Sequence, residues 1–204
     1  MILQKLKNKS LINMKFFVNF LLLLAFFLSS SIKLEANEDF NSWLINFSKI
    51  AIKKGISKKT LNNTLLNAEF LKKVIEYDRR QPEFIEDTLT YVNKRATKNR
   101  SKIAKKLLKE NLVLFDEIEK KFNVDKELLL ALWGIETNFG KHVGKMDIIS
   151  SLATLSFDKR RRDFFSSELL ILLQLIDKKI IDPNTLYGSW AGAFGNFQFM
   201  PSTI

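Results

Sequence analysis

The chain has 204 residues, 46% hydrophobic and 27% charged, a composition and length that suit one folded domain with its own core. With no cysteine and one histidine, His142, it excludes disulfides, thiol catalysis, cysteine-ligated zinc, a cysteine-linked lipid anchor and a multi-histidine metal site. A net charge of +11 leaves two readings open, a basic surface for an anionic polymer or ordinary solvation of a lysine-rich chain.

The N-terminus reads as a targeting segment. Lys5, Lys7, Lys9 and Lys15 precede an apolar run from Phe16 to Leu28, and Ser29, Ser30 and Ser31 follow. This is the order of a secretory leader. At 13 residues, one of them Asn19, the apolar run falls short of the roughly 20 that a bilayer-spanning helix needs. The expected leader is 1–36, with cleavage after Ala36, and the mature domain is 37–204. An uncleaved membrane anchor is the competing reading, and Met14 is an alternative start.

Helical period then dominates. Phe40, Trp43, Leu44, Phe47, Ile50 and Ala51 predict a first helix that Gly55 ends. Ser57 is placed to cap a second, with Leu61, Leu65 and Ala68 on it. A third is expected to open near Pro82 and run through Ile85, Leu89 and Val92. Thr97 to Ser101 reads as a connection. A long helix to Phe122 follows, with Leu108, Leu112, Phe115, Ile118 and Phe122 as its buried stripe. A helix over about Asp163 to Lys179 is apolar on nearly every face and belongs in a core. No stretch alternates with period two, so no sheet is expected.

The stretch Phe122 to Gly144 carries the chemical signal. Asp125 is an N-cap, and Leu129, Leu132, Trp133 and Glu136 follow at i, i+3, i+4 and i+7, on one helix face. Gly140 offers the stop. A carboxyl on an apolar stripe beside a tryptophan is expected to be buried, and burial disfavours the ionised form of a carboxyl. A proton held in that way is what a general acid needs. The plain alternative is a solvated glutamate, or one paired with Lys141 or Lys145. Of seven glycines, only Gly55 lies before Gly134. The rest gather around Glu136 and in the last 17 residues, either to bring backbone close to something or to pack helices tightly.

Four stretches, DRRQPEF, ALWGIETNFG, SLATLSFDKRRRDFFSSEL and GSWAGAFGNFQFMPS, occur in the order found in the lytic murein transglycosylase B family. Residues 40–204 resemble that family. The resemblance implies a mostly α, lysozyme-like helical domain with an elongated sugar-binding groove. It implies cleavage of the MurNAc–GlcNAc β-1,4 bond of peptidoglycan with formation of 1,6-anhydro-MurNAc ends. Glu136 matches the family's single acid/base, in contrast to the carboxylate pair of most glycosidases. Gln198 and Phe199 match residues lining sugar subsites. Ser189 matches a residue near the acid, and Arg160 and Arg161 match paired arginines facing the glycan and its acidic peptide. Asp147, Asp158 and Glu168 are expected to be structural. No cofactor and no metal are expected.

Family members continue well past the QFMPS element, so the resemblance implies a domain incomplete at its C-terminus. The expected partner is the glycan strand of peptidoglycan, in the periplasm, with peripheral association to the cell envelope. Nucleic acid is not expected, because no groove-reading motif is present. The alternative function is a noncatalytic relative that grips glycan without cutting it.

Overall fold

The computed structural model describes residues 39–80 and 87–204. Residues 39–53 are helical and are labelled α1. Then come α2 (Lys58–Asn63), α3 (Lys72–Arg79), α4 (Thr88–Arg95), α5 (Lys98–Glu110), α6 (Leu112–Phe122), α7 (Lys126–Thr137), α8 (Ile148–Phe157) and α9 (Arg162–Asp177). Short polar side chains decide where five of these begin. Ser57, Asp87, Thr97, Asp125 and Asp147 each accept a hydrogen bond from the backbone N–H three residues on. Each satisfies a first-turn donor that has no partner within its helix, a contribution of about 1 kcal/mol apiece.

The chain divides into two compact units, Met1–Ile45 and Asn46–Ile204. In the first, the described residues are the opening of α1, where Phe40 and Leu44 are buried and Phe40 stacks on Trp43 at 5.9 Å. In the second, α8 is the centre. Every residue from Ile148 to Ser156 is buried. It packs along α9, whose Phe165, Leu169, Leu172, Leu173 and Ile176 form the expected core stripe, and against α3. Leu61, Leu65 and Val74 are buried too. Each such side chain removed from water contributes roughly 1.5–3 kcal/mol before entropy is counted. The start of α2 is tied to the end of α9. Ser57 Oγ and Thr60 Oγ1 donate to Asp177 at 2.5 and 2.6 Å. These two hydrogen bonds hold the Asp177 carboxyl below its ordinary range.

A second, smaller cluster lies between α5, α6 and α7. Phe115, Leu130 and Phe139 are buried there, with Ile103, Ala104, Leu107, Leu108, Leu129 and Trp133 packed around them.

Several sequence expectations are corrected. Strand does occur: β1 (Met146–Asp147) pairs antiparallel with β2 (Tyr187–Gly188), Met146 opposite Gly188. Two-residue strands are too short to show alternation. The segment Thr97 to Ser101 is no connection, because Thr97 caps α5 and the helix starts at Lys98. The long helix to Phe122 is two helices. Asn111 breaks it, with its side-chain Nδ2 donating to Leu107 O at 3.0 Å. Of the expected stripe only Phe115 is buried; Leu112 and Phe122 are 45% and 60% exposed. The helix expected near Pro82 is bounded at Thr88, and Pro82 and Ile85 lie outside the described residues. The second helix ends at Asn63, with Leu65 in a short 3-10 turn and Ala68 just beyond it. Helix α3 had no sequence signal of its own. The leader and its cleavage point also lie outside the described residues. Among those described, no helix is long and apolar enough to cross a membrane.

Candidate active site

Helix α7 is apolar nearly all round, so its sequence permits more than one buried stripe. The stripe that is buried is Leu130, Gly134 and Thr137, at i, i+4 and i+7. Gly134 selects it. A Cβ there would lie 2.8 Å from Phe139 Cζ, so the missing side chain is the seat of the Phe139 ring. That ring also meets Trp133 edge-on, at 5.8 Å and 80°. Seating Phe139 turns half of the predicted stripe outward, while Leu129 and Trp133 pack at the edge of the cluster. Leu132 is 43% exposed and Glu136 is exposed as well, so the burial expected for Glu136 is absent. Nor is it paired with Lys141 or Lys145. Among the described residues its carboxylate has no hydrogen bond or ion pair, and Trp133, one turn back, is its half-buried neighbour.

The helix stops before Gly140. Asn138, Phe139 and Gly140 have successive φ values of 49°, 58° and 80°. A phenylalanine in the left-handed region costs of order 1 kcal/mol and persists only when its surroundings hold it. Here Phe139 N donates to Trp133 O at 3.2 Å, and the buried ring adds its packing. Thr137, fully buried, closes the turn. Its Oγ1 accepts from Gly140 N at 3.0 Å, and its carbonyl accepts from His142 N at 2.9 Å.

The glycine-rich segment after β2 docks on this helix end. Ser189 Oγ accepts from Ala193 N at 3.1 Å, and Ser189 N donates to Ala193 O at 2.8 Å, which makes Ser189 the pin of its own turn. Gln198 Nε2 donates to Val143 O at 3.1 Å and to Gly195 O at 2.8 Å, so it knits the two loops. Phe199 is 50% exposed and stacks on Phe197 at 6.1 Å. Asn196 makes the direct junction. Its Oδ1 accepts from Trp133 Nε1 at 3.1 Å, and its main-chain oxygen accepts from Thr137 Oγ1 at 2.8 Å. The glycines serve close backbone packing. A Cβ on Gly144 would lie 2.0 Å from Gly188 O, and one on Gly140 2.8 Å from Asn196 Oδ1. Thr137 and Asn196 carried no sequence signal, because neither residue type nor spacing marks a hydrogen-bonded junction.

Arg160 and Arg161 have a partner that sequence reading did not assign. Asp78, 1% exposed, receives Arg160 Nε at 2.9 Å, Arg161 Nη2, and Arg79 Nη1 at 2.6 Å. Arg79 Nη2 also donates to both carboxylate oxygens of Asp158, at 2.9 and 3.0 Å. Burial pushes the Asp158 carboxyl up, but the Arg160 N–H and the Arg79 guanidinium outweigh it and hold it below its ordinary range. Arg160 and Arg161 remain 43% and 38% exposed, beside a cavity of about 340 Å³ whose walls also include Lys159 and Arg162. No hydrogen bond or ion pair among the described residues joins them to Glu136. Asp147 and Glu168, like Asp158, are held in contacts within the fold. Asp147 caps α8, and buried Glu168 accepts from Ser202 N at 2.9 Å and Ser202 Oγ at 2.6 Å. Three acidic groups, Glu119, Asp125 and Glu127, come close enough to share a cation. Two of them are already engaged, Asp125 as a cap and Glu119 with Lys126 at 2.9 Å.

Fold and site together define a lysozyme-like helical domain with a free carboxylate at a helix end and a glycine-rich loop docked against it. The chain belongs to the Transglycosylase SLT domain family, whose model matches residues 39–204. It is 43% identical over 83 residues to membrane-bound lytic murein transglycosylase B of Escherichia coli (strain K12), covering 40% of this chain and 23% of that protein. Among solved structures it is similar to SltB3 from Pseudomonas aeruginosa in complex with NAG-NAM-pentapeptide. That likeness has a TM-score of 0.76 at 32% identity and covers 80% of this chain and 44% of SltB3. It is also similar to the Escherichia coli lytic transglycosylase Slt35 in complex with bulgecin A, with a TM-score of 0.67 at 30% identity over 82% of this chain and 53% of that one. The chain thus spans about a quarter of the curated relative and about half of the solved ones.

Proposed function

We propose that this chain acts on peptidoglycan as a lytic transglycosylase, with Glu136 as the single acid/base. The observation that carries the reading is the Glu136 carboxylate, without a hydrogen-bond or ion-pair partner among the described residues at the exposed end of α7, within a family match that spans residues 39–204. Glu136 first gives its proton to the glycosidic oxygen, and the C1–O bond breaks. The substrate's own N-acetyl group steadies the cationic carbon. Ionised Glu136 then takes the proton of the muramic acid C6 hydroxyl as that oxygen attacks C1. The product is a 1,6-anhydro end and no water is consumed. An exposed carboxyl keeps its proton for such a step only if water is displaced around it, so the glycan itself, lying over Trp133 and Glu136, is the cover. Ser189, Gln198 and Phe199 line the loop side of this path. Arg160 and Arg161, held by Asp78, offer their exposed edges to an acidic peptide.

In this reading residues 1–36 are a leader and 37–204 the working domain, exported to the periplasm. N-terminal sequencing of envelope-derived protein is expected to begin near Asn37; Met1 or Met14 would contradict export with cleavage. The exposure of Glu136 favours one second reading, a glycan binder that does not cut. Digestion of purified peptidoglycan with mass analysis separates the two. The first reading predicts released fragments lighter by one water than those with reducing ends. Reducing ends would mean a hydrolase, and binding without release would mean the second reading.

A further inference from the structure

Among the described residues, the hydrogen bonds from the loop that carries Gln198 and Phe199 to the helix that carries Glu136 come from one residue, and there are two of them. Asn196 presents its side-chain oxygen to Trp133 Nε1 at 3.1 Å and its main-chain oxygen to Thr137 Oγ1 at 2.8 Å. Trp133 and Thr137 are one turn before and one residue after Glu136. Thr137 is fully buried, and the same hydroxyl accepts the N–H of Gly140. The approach is close, with Asn196 Oδ1 lying 2.8 Å from where a Cβ on Gly140 would be. On the loop side, Asn196 lies two residues before Gln198, a non-glycine residue at φ +50° whose backbone takes that shape only if something holds it.

We propose that Asn196 and Thr137 are positioning residues. Together they fix the sugar-contacting loop at the distance from Glu136 that the reaction needs. The inference rests on the reading that Glu136 is the acid/base. Neither residue touches substrate in this scheme. They act through Gln198 and Phe199 on one side and through the last turn of α7 on the other. The two hydrogen bonds make a two-point attachment, which sets orientation as well as distance. Misplacement of a reacting group by about 1 Å is enough to cost about 100-fold in rate.

Three variants test this. Thr137→Val keeps shape and removes the hydroxyl, Thr137→Ser restores it, and Asn196→Ala removes the exposed side-chain oxygen without disturbing a buried group. Two readouts are taken on the exported protein: turnover on purified peptidoglycan, and backbone hydrogen exchange across residues 192–199. The proposal expects Thr137→Val and Asn196→Ala to lose about tenfold or more in kcat. Exchange of the loop should quicken by about tenfold in both, with the thermal midpoint unchanged in Asn196→Ala and lowered in Thr137→Val, where the Gly140 N–H and the Asn196 carbonyl lose their partner. Thr137→Ser should behave as wild type in both. Unchanged loop exchange in Thr137→Val and Asn196→Ala overturns the tie, whether or not the protein cuts glycan. Faster exchange with undiminished kcat overturns the positioning role. A wild-type protein that leaves peptidoglycan intact overturns the proposed function instead, and the exchange result still decides the tie.

Discussion

Helices α7 and α8 are both short and apolar, and the fold treats them in opposite ways. Nine of the ten residues of α8 are buried, whereas α7 buries three of twelve. Small side chains explain α8. Ser150, Ser151, Ala153 and Ser156 let neighbouring elements close on every face. In α7, one face is taken by the α5–α6 layer and the other leaves Leu128, Leu132 and Ile135 exposed at 54%, 43% and 45%. The thick region around α8 and α9 carries most of the fully buried side chains, and the thin region around α7 leaves a carboxylate exposed at its edge, the group to which the proposed reading gives the chemistry.

Substitutions should divide along that line. Leu169→Ala, in the fully buried stripe of α9, is expected to lower unfolding stability by about 2–5 kcal/mol in a urea titration. A loss under about 1 kcal/mol would mean the α8–α9 region is not the stabilising core. Asp158→Asn, at the rim of the core, should cost about 1–2 kcal/mol near neutral pH. The folded carboxyl lies below its unfolded value of about 3.9, so its contribution is complete above roughly pH 5 and is lost as pH falls through the folded value. Wild type and variant should therefore converge in acid, and a gap that persists at low pH would remove Arg79 and the Arg160 N–H as its cause. Smallest of all, Leu128→Ala on the open face of α7 should change stability by no more than about 0.5 kcal/mol. A larger loss would show that this face is covered in solution.

Local signals were legible where a residue acts within its own turn. Ser57 and Asp125 read as caps and are caps, and the apolar stripe of α9 packs as its period predicts. Signals failed where the partner is distant. The buried stripe of α7 is chosen by Phe139 folding back onto Gly134, and nothing in a 3.6-residue period encodes that return. Asn111 interrupts a continuous apolar pattern with a side-chain hydrogen bond to Leu107 O, and an apolar period does not report such a bond. The pairing of Arg160 and Arg161 with Asp78 spans more than eighty residues, and so does not appear as spacing. The Asn196–Thr137 junction spans 59 and was equally invisible. For the site, Glu136 stands out from its place on the α7 face and is strengthened by resemblance, Gln198 and Ser189 follow from resemblance alone, and the contacts that hold the loop to the helix come only with the fold.

The central claim is that the free carboxylate at the end of α7 moves the proton. Glu136→Gln keeps the shape and cannot carry one. Turnover of purified peptidoglycan by wild type and variant, at equal folded concentration, tests it directly. The account predicts a fall of at least about 10²- to 10⁴-fold with glycan binding and thermal midpoint unchanged. A variant that cuts as fast as wild type would contradict it and move the chemistry to another group.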